Sequence, residues 1–445
     1  MQFIEEQCTL VNNTLIFTNI RNINNNIQPS KKQKVIKSNK KIAKSEKEKT
    51  IELLENEIKE KIIKFNNKNN NKNNNKNNNK NNNKNNNKNN NKNNKKKNIF
   101  LFSNKIPEEI VFILIPKSEL NSNLNIKYIQ NNVLNKGGFS VIYQLYNEKK
   151  EKTNLILKYT NSNKKDIIDI ELKTYIFQFC LQYHLKEKKS DDLKYICKIL
   201  EYGKILINDK HSNYCIMENC GKNLNKLNEK IKYNKNTIIN DINNLIKIFI
   251  KCCKSVNVLH KIGYIHNDIK ETNFLFYEDD NTNEIQIKII DFGNIKKEGE
   301  KIDKKIAFTP GYVYPLIFKK SNNLKMNVNF DIFSLVITFL NILLRFFNLK
   351  SYIHYTNIYN EQCIFNSLNY YNLFTNTELL NSLKISIKEN INNKINNKNN
   401  RNKINIIQFI EKLIEKLFLI IDNSFNNYNI NKLIEDLNNI YEPII

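Results

Sequence analysis

The chain has 445 residues, 40% of them hydrophobic, which is enough for a sizeable core and excludes a protein disordered throughout. It carries 71 Lys and Arg against 44 Asp and Glu, a formal charge of +27, and residues 1–100 alone hold 23 basic and 8 acidic residues. Such an excess favours anionic partners through nonspecific electrostatics, although the dominance of Lys, Asn and Ile, with arginine only at 21, 345 and 401, equally fits biased codon usage.

Residues 1–98 read as a low-complexity extension. Asn66 to Asn98 is a tetrapeptide repeat of three Asn and one Lys, with no apolar residue to offset ordering entropy, so a solvated linker is expected. Upstream, Ser45 can cap one amphipathic helix over 45–64, where Ile51, Leu54, Ile58 and Ile62 recur at near-helical spacing. The Lys-rich tail suits anionic surfaces, while no aromatic platform, zinc finger or Arg cluster points to specific nucleic-acid readout. The N-terminus MQFIEEQCTL lacks a basic region followed by an apolar run, so no secretory signal is evident. Eight cysteines without CxxC spacing or a His/Cys cluster suggest neither zinc nor disulfide staples, and an intracellular setting, cytoplasmic or nuclear, is expected.

After the linker, short apolar runs predict strands at 110–115, 128–134, 141–145 and 155–159. A helix is expected from Asp166 to about His184, and further strands at 199–207 and 214–217. From Thr237 onward the pattern is largely helical. Strands first and helices later give an α+β architecture of two lobes. The divisions are a small β-rich N-lobe at 99–217, a hinge at 218–221 and a larger helical C-lobe at 222–445. Phe333 to Phe347, interrupted by Asn341 and Arg345, falls short of the roughly 20 apolar residues of a membrane span and reads as a buried helix, so no transmembrane segment is expected. Residues 390–402, rich in Asn and Lys, read as an inserted loop.

The chemistry concentrates in LHKIGYIHNDIKETNFLF, where Asp268 precedes Asn273 by five positions, and in KIIDFG, with Asp291, Phe292 and Gly293. These segments resemble the eukaryotic protein-kinase superfamily, of the serine/threonine type because Lys270 follows Asp268 by two. The resemblance implies a two-lobed kinase fold and transfer of the γ-phosphate of ATP to protein substrates, acidic ones included. In it Asp268 accepts the substrate hydroxyl proton, and Asn273 and Asp291 hold Mg2+, with Mn2+ an alternative. Dense phosphate charge requires such metals and cations.

The resemblance extends upstream. LNKGGFSVIYQLY is similar to the glycine-rich hairpin over the nucleotide phosphates, with Asn135, Lys136, Gly137, Gly138, Phe139, Ser140 and Ile142 in that position. Asn135 and Ser140 stand where that hairpin's first and third glycines would be. LILK places Lys158 to hold the α- and β-phosphates, and IELKTY offers Glu171 as its ion-pair partner. Ile156 lines the adenine side in place of a smaller residue. YCIMENCGKNL resembles a hinge, with Met217 as gatekeeper and Glu218 to Cys220 presenting backbone groups to adenine, and Leu275 beneath it. IELKTY, IMENCG and DIKETNFL are closest to the casein-kinase-one class.

Departures are equally specific. Asn267 replaces the arginine that reads an activation-loop phosphate, and no Ser, Thr or Tyr lies between Asn294 and Phe308. Activity independent of loop phosphorylation is therefore expected. Leu316 replaces the glutamate of a buried ion pair, and the arginine partner is missing near Asn427, a joint loss that can be neutral where a single loss is not. Thr309 is expected in the substrate-binding loop, Asp331 at the start of the central helix, and His266 packed beneath the catalytic segment. A pseudokinase scaffold is the alternative these departures leave open. Oligomeric state is not legible.

Overall fold

Alternation of apolar and polar residues organises the first half of the chain into strands. The computed structural model describes residues 8–11, 14–17, 56, 109–111, 128–130, 133–136 and 140–440, the last stretch without 147–150, 161–164, 208–209, 232–233, 235–236, 303–307, 320–323, 357, 360–364, 397–402 and 424–427. β1 (Cys8–Val11) and β2 (Thr14–Phe17) pair as an antiparallel hairpin. The extension was expected to hold at most a helix. The apolar runs on either side of Asn12-Asn13 explain the two strands, since β-branched and aromatic residues favour pairing. The expected helix at 45–64 lies outside the described residues except Asn56, and the Asn/Lys linker lies wholly outside them.

A seven-stranded sheet forms the N-lobe, in the order β3-β4-β6-β7-β9-β8 with β5 on β6. Its strands are β3 (Glu109–Val111), β4 (Tyr128–Gln130), β5 (Val133–Lys136), β6 (Ser140–Tyr146), β7 (Lys152–Thr160), β8 (Ile199–Ile207) and β9 (Lys210–Glu218). The expected strand at 128–134 is two strands, because β4 and β5 each pair separately with β6. Helix α1 (Lys165–Glu187) packs on this sheet and buries Leu172, Ile176, Phe179 and Cys180. Gln182 ties it to β8 by donating to the carbonyl of Ile199 (2.6 Å), and Gln178 donates to that of Cys197 (2.5 Å), just ahead of the strand.

The C-lobe is built on α2 (Ile238–Lys261) and α3 (Asn329–Phe346). Ile238, Ile242, Leu245, Phe249, Cys252, Val256 and Leu259 recur every three or four residues, and α2 buries all of them. Phe249 stacks on Phe339 of α3 with centroids 4.3 Å apart, a pairing worth about 1 kcal/mol beyond its buried area. Among the described residues α3 is the one helix long and apolar enough to cross a membrane, yet 94% of it is buried inside the fold, as expected of a core helix. Around this pair lie α4 (Ser367–Thr375), α5 (Thr377–Asn396), α6 (Lys403–Asn423) and α7 (Ile430–Ile440).

The sequence reading of 390–402 as an inserted loop is corrected here. Residues 390–396 complete α5, because Ile391 and Ile395 extend the stripe begun by Leu380, Leu383 and Ile387, and all five are buried. Residues 397–402 lie outside the described residues.

Short strands position the segments between the lobes. β10 (Lys222–Asn223), β12 (Phe274–Glu278) and β13 (Ile285–Ile289) form one antiparallel sheet, and β11 (Tyr264–Ile265) pairs with β14 (Lys296–Lys297). These pairings fix both ends of two segments, 266–273 and 290–295, at the foot of the N-lobe.

Candidate active site

The site begins with Asp331. Its carboxylate is fully buried at the start of α3 and accepts the backbone N–H of His266 and of Asn267, each at 2.8 Å, with His260 Nε2 also at 2.8 Å. One buried carboxylate thus meets three partners at once, so α3 clamps the chain where it leaves β11. The clamp holds Asn267 in the left-handed region, at φ 62°, which an asparagine tolerates better than most residues. His266 is buried with Nε2 3.0 Å from the Ile290 carbonyl and its ring against Phe292, so it packs beneath the segment as the sequence implied.

Downstream of the clamp the polar side chains converge. Lys270 Nζ donates to both carboxylate oxygens of Asp268, at 3.1 and 2.9 Å, and to Thr309 Oγ1 at 2.8 Å. Thr309 in turn donates to Asp268 Oδ1 at 2.7 Å. Asn273 Nδ2 donates to the Asp268 carbonyl (2.7 Å) and to Oδ2 (3.1 Å). With its amide nitrogen so used, Asn273 has Oδ1 left to ligate a cation. Thr309, expected only in a substrate loop, is therefore part of the carboxylate's own hydrogen-bond set.

On the facing lobe, Lys158 lies in β7 with its Nζ 3.3 Å from Glu171 Oε2 on α1, which joins the two residues the sequence paired. Burial alone would lower the Lys158 ammonium, but Glu171 and Asp291 carry it above the usual lysine range, so it stays charged. Burial likewise would raise the Asp291 carboxyl, yet Lys158, Lys270 and His266 together with the Gly293 N–H hold it below the usual carboxylate range. Asp291 adopts φ 67°, a left-handed turn from β13 into the Phe292–Asn294 turn. Lys158 and Lys270 thus both bear on the Asp291 carboxylate.

Beside these residues an apolar floor assembles from both lobes. Ile156, Met217, Cys220 and Leu275 belong to one buried cluster with Tyr175, Phe179, Cys197, Ile199 and Cys215, and Ile142 packs against it. Ile156 and Met217 are direct cross-strand partners. A flat heteroaromatic ring over such a floor is held by apolar contact and by hinge backbone groups. Glu218 N–H is already donated to the Lys198 carbonyl at 3.0 Å. The Glu218 side chain takes no part in that surface, since it receives Lys288 Nζ (2.6 Å) and Lys198 N (2.7 Å).

In the glycine-rich segment, Asn135 and Lys136 are exposed in β5 and pair with Ile142 and Val141, and Ser140 opens β6. Gly137, Gly138 and Phe139 lie outside the described residues.

Two features escaped the sequence reading. Cys197 and Cys220 approach to 3.2 Å between sulfurs, with Glu218 beside them, a juxtaposition that spacing 23 residues apart conceals. The Lys288 ammonium already supplies a cation to Glu218 there. The second is Glu271, buried directly after Lys270, which pairs with Arg345 of α3 and accepts the Tyr312 hydroxyl at 2.6 Å. The available signal was the polar pair Asn341 and Arg345, four apart in an otherwise apolar helix. Leu316 is packed against the core, as its loss of charge implied.

The residues present suit a nucleotide with a divalent cation. Lys158 offers fixed positive charge, Asn273 and Asp291 offer the oxygen donors that hard cations prefer, and the apolar floor adjoins them. A separate groove of about 1200 Å³, edged by Lys247, Lys251, Lys254, Glu278 and Glu284, contains none of these residues.

Comparison with known proteins agrees with this geometry. Residues 128–418 match the family model of the protein kinase domain. A protein of Acanthamoeba polyphaga mimivirus named as a serine/threonine-protein kinase is 27% identical over 219 residues, 44% of this chain and 45% of that protein. Another so named, from Clostridium acetobutylicum, is 31% identical over 130 residues, 28% of this chain and 18% of its own length. The calcium/calmodulin-dependent protein kinase type 1 of Caenorhabditis elegans is 34% identical over 80 residues, 18% and 22% of the two chains. The chain spans less than half the length of these relatives.

Proposed function

The chain belongs to the protein kinase family, and from that premise we propose that it transfers the γ-phosphate of ATP to Ser or Thr hydroxyls of protein substrates without needing activation-loop phosphorylation. The observation that carries this reading is the Asp268 carboxylate, oriented by Lys270, Thr309 and Asn273 at once. A carboxylate so held stands ready to accept the proton of an incoming hydroxyl. Lys158, kept charged by Glu171 and Asp291, would orient the nucleotide phosphates, and Asn273 and Asp291 would hold the cation, Mg2+ in the first instance. That cation supplies offset to the charge on the phosphoryl oxygens. Asn267 brings no charge that a loop phosphate would satisfy, and 294–308 offers no hydroxyl to modify. The basic excess of the chain, 71 Lys and Arg against 44 Asp and Glu, favours acidic protein substrates.

The test is transfer of labelled γ-phosphate from ATP to mixed protein substrates by the full chain beside an Asp268→Asn control. Transfer that falls about 100-fold or more in the control is expected, as for loss of a positioned base. Absence of transfer in both, with nucleotide still bound, would replace the proposal by a nucleotide-binding scaffold. Phosphatase treatment should leave the activity unchanged; loss of activity that maps to 294–308 would overturn phosphorylation independence.

A further inference from the structure

Glu271 is a carboxylate only 5% exposed, set between the Asp268–Lys270 pair and Asn273, and none of the steps above uses it. Its two oxygens reach two different elements. Oε1 pairs with Arg345 Nη2, in the last turn of α3, and Oε2 accepts the Tyr312 hydroxyl at 2.6 Å. Tyr312 follows Thr309 by three residues, so the 309–312 segment is tied twice to the 268–271 segment: Thr309 to Asp268 and Tyr312 to Glu271. The tyrosine is held on its other sides as well. Asn341 Nδ2 donates to its hydroxyl oxygen at 3.1 Å, and Ser334 Oγ donates to its carbonyl at 2.6 Å.

We propose that Glu271 is a positioning residue for the protein substrate, fixing through Tyr312 the course of residues 309–314 beside Asp268, with Arg345 neutralising its buried charge. The inference rests on the kinase reading for what the loop receives. The geometry behind it is local. Thr309 touches the carboxylate that would accept the substrate proton, so the residues that follow lie where the chain flanking the acceptor hydroxyl must pass. A buried carboxylate with one cation and one hydroxyl donor is satisfied only in that arrangement, which makes the loop position a consequence of charge pairing. Leu316, further along the same stretch, contributes no such charge.

Tyr312→Phe in the full chain removes the hydroxyl and little else. The expected result is a KM for protein substrate at least about 10-fold higher with the KM for ATP unchanged, since the bond to the Glu271 carboxylate and the bond from Asn341 are both lost with the hydroxyl. Glu271→Met, which removes both acceptor oxygens at similar volume, should act in the same direction, and the double variant should be no worse than the more affected single one, because both break the Tyr312–Glu271 link. An unchanged KM for protein substrate, or equal increases in both KM values, overturns the proposal. Hydrogen exchange provides a readout independent of transfer: amides of 309–316 should exchange about 10-fold faster in Tyr312→Phe while those of α2 do not change. Unaltered exchange at 309–316 overturns the positioning role. Faster exchange in a chain whose wild type transfers no phosphate sustains the tie and brings down the kinase reading instead.

Discussion

At the residue scale, the charges a carboxylate faces decide which way it is shifted. Asp291 faces Lys158 and Lys270, and its carboxyl stays below the usual carboxylate range. Glu201 on β8 is 5% exposed and meets only the Tyr214 hydroxyl, which donates at 2.5 Å. Burial pushes the Glu201 carboxyl up from 4.5 to about 7, and the tyrosine hydrogen bond offsets only part of that. Between those two values the folded chain keeps a proton that the unfolded chain has lost, so stability falls as pH rises from 4.5 and the cost is complete above 7. Glu201→Gln removes the charge but keeps an acceptor for Tyr214. Urea unfolding should find this variant more stable than wild type at pH 8, by on the order of 3 kcal/mol, with the difference nearly gone at pH 5. Equal stabilisation at both pH values would mean that the carboxylate is solvated. The sequence singled out Asp268, Asn273 and Asp291 through the resemblance of two short segments to protein-kinase motifs, and Lys158 through the partner that Glu171 offered it. Glu201, Glu271 and Arg345 gave no such signal, since their partners lie in other elements and contact depends on packing.

At the element scale, composition misled where periodicity did not. The Asn- and Lys-rich stretch at 390–402 reads as a loop by residue type, and Asn has modest helix propensity. Yet Ile387, Ile391 and Ile395 follow one another at intervals of four, and each is at most 1% exposed in α5. Tertiary burial of that stripe decides the matter. The polar face is held in addition by Lys384 and Lys388, both paired with Glu415 of α6, and by Asn392 Nδ2, which donates to Glu411 at 2.9 Å. Ile391→Ala should therefore cost roughly 2–5 kcal/mol in equilibrium unfolding, the range for an aliphatic side chain removed from a packed core. A loop residue would cost less than about 0.5 kcal/mol, and that result would restore the reading from composition. The strands show the converse. β6, β7, β8 and β9 fall within a few residues of their apolar runs, because alternation and β-branched residues act locally. β4 and β5 form one run in sequence and two in the sheet, since which residues pair with β6 is a property of the partner strand.

At the scale of the whole molecule, order of elements was enough to give two lobes, because a run of strands followed by a run of helices has few ways to bury both faces. The charge distribution belongs to this scale too. Residues 1–100 carry 23 basic and 8 acidic residues, whereas the remaining chain is nearer balance for its length, with 48 basic and 36 acidic. Many of the C-lobe lysines are spent on local carboxylates, as in the Lys251–Glu284, Lys261–Asp192 and Lys416–Asp436 pairs. The N-terminal lysines of the Asn/Lys repeat have no acidic neighbours in sequence and repeat every four residues. Charge of that kind attracts polyanions over a Debye length of about 8 Å at physiological salt and is screened as salt rises. The full chain should thus bind a heparin column and elute at higher salt than a chain of residues 99–445, while both transfer phosphate at similar kcat if the site described above is self-sufficient. Coincident elution would place the anion affinity on the two-lobed part. A fall in kcat on deletion would show instead that the extension acts on the site, and the hairpin at 8–17 would be the first segment to restore.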